Sequence, residues 1–173
     1  MPKHQGSMAY TRHKYIRSIP QPKIRRFVLG DKKGEYSYKV LLKAKHAARI
    51  SSAALESTRV TANKILETSG KSYMLTILTY PHEVVREHKF MGFAGADRLS
   101  QGMKKAFGRP RKRVAQVNAE QSILAVSTNE DGIDVAKLAM KRASKKLPIP
   151  YYVVVEPIKQ LNEKPNNLPI ESL

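Results

Sequence analysis

The sequence predicts an α+β sandwich, in which two main helices lie on a mixed sheet and the body carries a basic N-terminal arm and a long basic internal loop. Three observations lead there. Short alternating or wholly apolar segments are interspersed with two stretches of helical periodicity, an order that sets helices against a sheet. The chain has 173 residues, of which 41% are hydrophobic, enough for one domain with a real core. Its net charge of +18 is unevenly spread: residues 1–26 carry +7 with no acid, and residues 87–113 carry +6.

Residues 1–22 are expected to form an extended arm, because Pro20 and Pro22 bias their neighbours away from helix. The single body spans 23–156. Residues 24–29 read as a strand ended by Gly30 and Asp31, and Tyr36–Lys43 alternates as a second strand. A helix follows. Ser51 or Ser52 caps its start by accepting an orphan backbone N–H, Leu55, Ala62, Ile65 and Leu66 form one apolar face, and Gly70 closes it in a left-handed conformation.

Ser72–Tyr80 is a strand with two fairly apolar faces, which places it in the interior of a sheet. Pro81 interrupts it and His82–Arg86 resumes it. The 27 residues from 87 to 113 are too long for an ordinary turn, and connections of that length are functional or disordered. Val114–Val117 and Ser122–Thr128 are two more strands. The second helix runs from Gly132 to Lys146 with Asn129 or Asp131 as cap. Glu130, Asp131 and Asp134 suit its positive end, and Lys141, Arg142, Lys145 and Lys146 its negative end. Ala136, Met140, Ala143 and Leu147 make its buried face. Pro148 and Pro150 stop it, Tyr151–Glu156 is the last strand, and 157–173 is a proline-containing tail.

The charge distribution indicates a polyanionic partner. Lys3, Arg12, Lys14, Arg17, Lys23, Arg25 and Arg26 form the first cluster; Lys89, Arg98, Lys104, Lys105, Arg109, Arg111, Lys112 and Arg113 form the second. Such cations repel one another in water and become favourable against phosphates whose counterions they release. The second cluster is interleaved with Gly92, Gly95, Gly102 and Gly108, and with Phe90, Phe93 and Phe107, three of the chain's four phenylalanines. Glycine permits close backbone approach and aromatic rings stack on bases. The rival reading is that these rings merely pin the base of the loop while the charges stay solvated; the first cluster, with Tyr10 and Tyr15 among its cations, decides for nucleic acid. Leu99, Met103 and Phe107 also have the spacing of a short amphipathic helix.

Other classes fare worse. No apolar run approaches the ~18 residues of a membrane span, and the N-terminus has no apolar signal region. A basic membrane-surface arm would need a better apolar face. The absence of cysteine excludes disulfides, thiolate metal sites and thiol nucleophiles, and fits a cytosolic chain. Gly70-Lys71-Ser72 resembles the end of a phosphate-binding loop, but its first glycine position is Ile65 and it follows a helix rather than a strand. Gly92-Phe93-Ala94-Gly95 is no dinucleotide fingerprint. His4, His13, His46, His82 and His88 have no ligand spacing, and Asp131 and Asp134 are better explained by helix capping than by acid–base chemistry. No catalytic residue, metal site or cofactor is expected.

The run Gly95-Ala96-Asp97-Arg98-Leu99, continuing through Gly102-Met103 to Ala106-Phe107-Gly108-Arg109-Pro110, is distinctive. It is preceded by Pro81-His82 and followed by Val114-Ala115-Gln116-Val117. With Pro22-Lys23-Ile24-Arg25 and the helix from Ser52 to Gly70, the chain resembles the universal L-sixteen family of large-subunit ribosomal proteins, called L-ten-e in archaea and eukaryotes, over about residues 8–156. The missing cysteine and the short proline-containing end look more archaeal than eukaryotic. The resemblance implies an α/β-hammerhead-like domain docked on large-subunit rRNA beside neighbouring ribosomal proteins, not a homo-oligomer, in the cytoplasm. It implies that the internal loop, with Arg98 and the cluster Arg109, Arg111, Lys112 and Arg113, approaches tRNA and the peptidyl-transferase region. An RNA-modifying enzyme and a DNA-binding module are the alternatives. The first lacks catalytic motifs; the second lacks a groove-reading helix.

Overall fold

The computed structural model describes residues 13–87 and 108–158. The elements in chain order are β1 (Val28–Gly30), β2 (Tyr38–Ala44), β3 (Ala48–Ser51), α1 (Ser52–Thr68), β4 (Tyr73–Ile77), β5 (Glu83–Glu87), β6 (Arg109–Val117), β7 (Ser122–Thr128), α2 (Ile133–Ser144) and β8 (Tyr151–Pro157). Five strands form one sheet in the order β1-β4-β7-β2-β8, and three form a smaller one in the order β3-β6-β5. The expected α+β architecture with two helices is present. The strands divide over two sheets, each with antiparallel pairing throughout. Among the described residues no closed barrel forms.

The core lies between the helices and the sheets. Strand register places Leu75, Val126, Val40 and Val155 in one row across the large sheet, and Ile77, Leu124, Leu42 and Val153 in the next. These rows pack with Leu55, Ala62 and Leu66 of α1 and with Ala136, Ala139, Met140 and Ala143 of α2. Each large aliphatic side chain withdrawn from water in this way contributes about 1.5–3 kcal/mol. β4 sits between β1 and β7, the interior position its apolar faces demand.

The first helix forms as its sequence predicts. Ser51 is extended (φ −69°, ψ 148°), and its hydroxyl accepts from the Ala54 N–H at 3.2 Å. Thr58 is fully buried, and its hydroxyl donates to the Ala54 carbonyl at 2.8 Å, so no polar atom is stranded there. Past the C-cap Ser69, Gly70 takes φ +67°, where a side chain would be strained.

The second helix starts differently from expectation. A 3₁₀ turn, Glu130–Gly132, precedes it, and neither Asn129 nor Gly132 makes a side-chain cap bond. The turn is closed by backbone instead: the Gly132 N–H donates to the Asn129 carbonyl at 3.0 Å. A Cβ at Gly132 would run into the Thr128 hydroxyl, so the close approach of this turn to β7 requires glycine. α2 ends at Ser144, and Leu147 is buried beyond it in a turn rather than on the helix face.

Other boundaries move for tertiary reasons. Of the expected strand 24–29 only Val28 and Leu29 lie in β1, which extends to Gly30. Residues 23–27 instead lie along the body: Ile24 is buried, the Arg25 N–H reaches Glu56 Oε2 at 3.4 Å, and the Phe27 carbonyl accepts from the Ile77 N–H at 2.8 Å. β3 was not expected; four residues beside a helix cap carry too little periodicity. β5 does not resume β4 in its own sheet but joins β6 in the smaller one. β6 begins at Arg109, so the 87–113 connection narrows to 88–108, and its basic end is strand rather than loop.

Candidate nucleic-acid interface

Hydrogen bonds and ring contacts link described segments of both clusters to the small sheet. Pairing of β5 with β6 sets Val84 opposite Arg113, Val85 opposite Lys112, Arg86 opposite Pro110 and Glu87 opposite Arg109. The register shifts between Val85 and Arg86, an irregularity that leaves Arg111 as the extra residue. Arg109, Arg111 and Lys112 are exposed, and Arg113 is half-buried. Arg86 Nη2 donates to the Tyr15 carbonyl at 2.9 Å, fixing the His13–Tyr15 turn beside β5. Lys14 lies over the Tyr15 ring, 5.0 Å from its centre, and Ile16 is buried. This stretch of the expected free arm is therefore laid on the body.

A second route leads to the same sheet. Arg113 Nη1 donates to the Tyr80 hydroxyl at 2.9 Å, and Tyr80 stacks on Phe27 with ring centres 5.5 Å apart. Phe27 follows Arg25 and Arg26 directly, and both arginines are exposed. Lys23 and Arg25 line a shallow groove with Ala53, Glu56 and Arg59 at the first turns of α1. Ser51, immediately before α1, is paired with Val114, the residue after Arg113. The segment before β1, with Lys23, Arg25 and Arg26, is thus linked to the start of α1 and, through Phe27 and Tyr80, to Arg113 on β6, the strand that also carries Arg109, Arg111 and Lys112; Arg17 is exposed next to the buried Ile16. Lys3, Arg12, Lys89, Arg98, Lys104 and Lys105 lie outside the described residues, as do the expected helix at Leu99–Phe107 and most of the tail.

Two acids near this surface are already engaged. Glu83 pairs with Arg49 Nε at 3.2 Å. Glu56 receives Arg59 Nε at 2.9 Å and Nη2 at 2.6 Å. These bonds, and the Arg25 N–H, hold the Glu56 carboxyl below its ordinary range despite partial burial. Sequence reasoning missed Arg86, Tyr80 and the Arg49–Glu83 pair. Their partners are distant in sequence, 71 residues from Arg86 to Tyr15, so no local periodicity marks them.

The remaining concavities have a different character. A groove of about 540 Å³ between α1 and α2 is lined by Val60, Ile65, Val135 and Leu138, with Lys64 and Arg142 at its edge. Among the described residues no group of three metal-ligating side chains assembles, and no helix is long and apolar enough to cross a membrane.

An α+β body with exposed cations on its small sheet and on the segment before β1 defines a basic docking domain, the class that suits a polyanion. The chain belongs to the family described as Ribosomal protein L16p/L10e, which it matches over residues 5–154. It is 42% identical over 158 residues to the large ribosomal subunit protein uL16 of Staphylothermus marinus, covering 90% of this chain and 91% of the relative. It is 42% identical over 153 residues to the uL16 of Hyperthermus butylicus, covering 87% and 85%. Against the uL16 of Metallosphaera sedula it is 40% identical over 162 residues, covering 91% and 93%. The resemblance carried by the Gly95–Pro110 motif therefore holds across the chain. The protein is a structural constituent of the large ribosomal subunit, not an enzyme, and works in the ribosome of the cytoplasm.

Proposed function

We propose that the protein grips large-subunit rRNA with the end of the body formed by the β5–β6 edge, the exit of β4 and the first turns of α1. The single observation that carries this reading is the Arg86–Tyr15 bond, which joins two basic segments far apart in sequence into one surface. Phosphates neutralised there release counterions, and the compact core supplies the rigid anchor. Residues 88–108 join β5 to β6, and the family resemblance implies that they approach the tRNA corridor and peptidyl-transferase region. One copy acts per subunit, with tRNA met only inside the ribosome.

A crosslinking map of the intact ribosome tests this. Crosslinks from Arg109, Arg111 and Lys112 to large-subunit rRNA are expected, and crosslinks from 88–108 to tRNA. Crosslinks from this surface to protein alone would overturn the rRNA assignment.

A further inference from the structure

We infer that Tyr80, backed by Phe27 and flanked by Arg113, is a stacking seat for an unpaired RNA nucleobase. The inference rests on the rRNA-binding reading above and adds a base contact to a surface so far described by its charge. Tyr80 is 50% exposed. Its presentation is fixed from both sides along the chain. β4 stops at Ile77; Thr79 is buried, Tyr80 exposed and Pro81 buried, so alternation turns the ring outward. The Phe27 ring lies under it at 28° between planes. The Arg113 bond to its hydroxyl restrains the remaining rotation.

A ring held in this way loses little conformational entropy on stacking, which is what a preorganised seat requires. Arg113 adds a second element. Its guanidinium carbon is 5.7 Å from the ring centre, and its protein partner is a phenol rather than a carboxylate. An arginine so placed has donors left for a base carbonyl or phosphate oxygen of the nucleotide that the ring receives. Neighbouring Arg109, Arg111 and Lys112 make a nucleic acid, rather than a protein, the matching partner.

The test uses the full chain and an in vitro transcript of large-subunit rRNA, with affinity measured over a range of salt. Tyr80→Ala and Tyr80→Leu should each weaken binding by about 5- to 100-fold with the salt slope unchanged, because lost stacking releases no counterions. Tyr80→Phe should bind more tightly than Tyr80→Ala or Tyr80→Leu, since the ring survives and only the Arg113 restraint is lost. A short oligoadenylate carrying 2-aminopurine should lose fluorescence at saturation on the unaltered protein, an observation independent of how stable any variant is. Unchanged fluorescence, or Tyr80→Leu binding as the parent does, overturns the seat while leaving rRNA binding standing. Full RNA affinity of Tyr80→Ala with failed entry into subunits would assign the ring to a protein neighbour, and also overturns it. Failure of the unaltered protein to bind the transcript overturns the underlying reading instead.

Discussion

Arg49 on β3 and Glu83 on β5 meet across the middle strand β6, Nε to Oε2 at 3.2 Å, with side chains 15% and 9% exposed. The pair ties the outer strands of the small sheet together, and β5 is one of the two strands between which residues 88–108 run. Removing one partner leaves the other charge poorly solvated, which typically costs about 3 kcal/mol or more. Glu83→Ala should therefore lower the unfolding free energy by about 3 kcal/mol. Urea unfolding measures this, and a loss near that of an exposed carboxylate would show that the pair contributes nothing.

The two helix starts should respond unequally to alanine. Ser51→Ala removes a cap bond and should lose about 1 kcal/mol of stability. Asn129→Ala removes no cap bond and should stay within about 0.5 kcal/mol. Thermal melting of the two variants compares them directly. Equal losses would mean that the backbone closure of the second start does not suffice.

The Glu56 carboxyl predicts an acid-side dependence. Its side-chain bonds to Arg59 place its folded value below the ordinary 4.5. The unfolded chain thus binds its proton first as pH falls. The stabilisation is complete above 4.5 and disappears as pH drops through the depressed folded value. Stability measured from neutral pH down to about 3 should decline less steeply in Glu56→Gln than in the parent. Parallel curves would remove Glu56 from the account.

Binding to rRNA should fall steeply with salt. If about ten phosphates are neutralised, log K against log salt has a slope of about −9, or about −7 on single strands. Replacing Arg109, Arg111 and Lys112 together with Ala should flatten that slope by about 3 units. Stability should move by less than about 0.5 kcal/mol per site, because these side chains are exposed. Subunit assembly or translation should suffer in a complemented cell. An unchanged slope would place the phosphates elsewhere on the molecule.

Much of the body was legible in the residues because it is written locally. The α1 cap at Ser51, the apolar face through Leu55, Ala62 and Leu66, and the stop at Gly70 are all set within a few residues. The same is true of β2 and β7, whose apolar content matches their burial in the large sheet. The basic character of Arg109–Arg113 needs no structure to see, and the Gly95–Pro110 motif identified the family. The expected cap of α2 failed because a 3₁₀ turn closed by backbone leaves the Asn129 side chain out of the helix start.

By itself, then, the sequence determined the α+β class, the helices, most strands and the two reservoirs of positive charge, since each depends on spacing and composition over short stretches. Only the tertiary structure decided that β5 leaves the sheet of β4, that four cations of the expected loop lie on β6, and that Arg86 brings Tyr15 to the same surface. Those outcomes depend on strand register and on hydrogen bonds between residues distant along the chain, and no local pattern encodes which strand edge a segment will find.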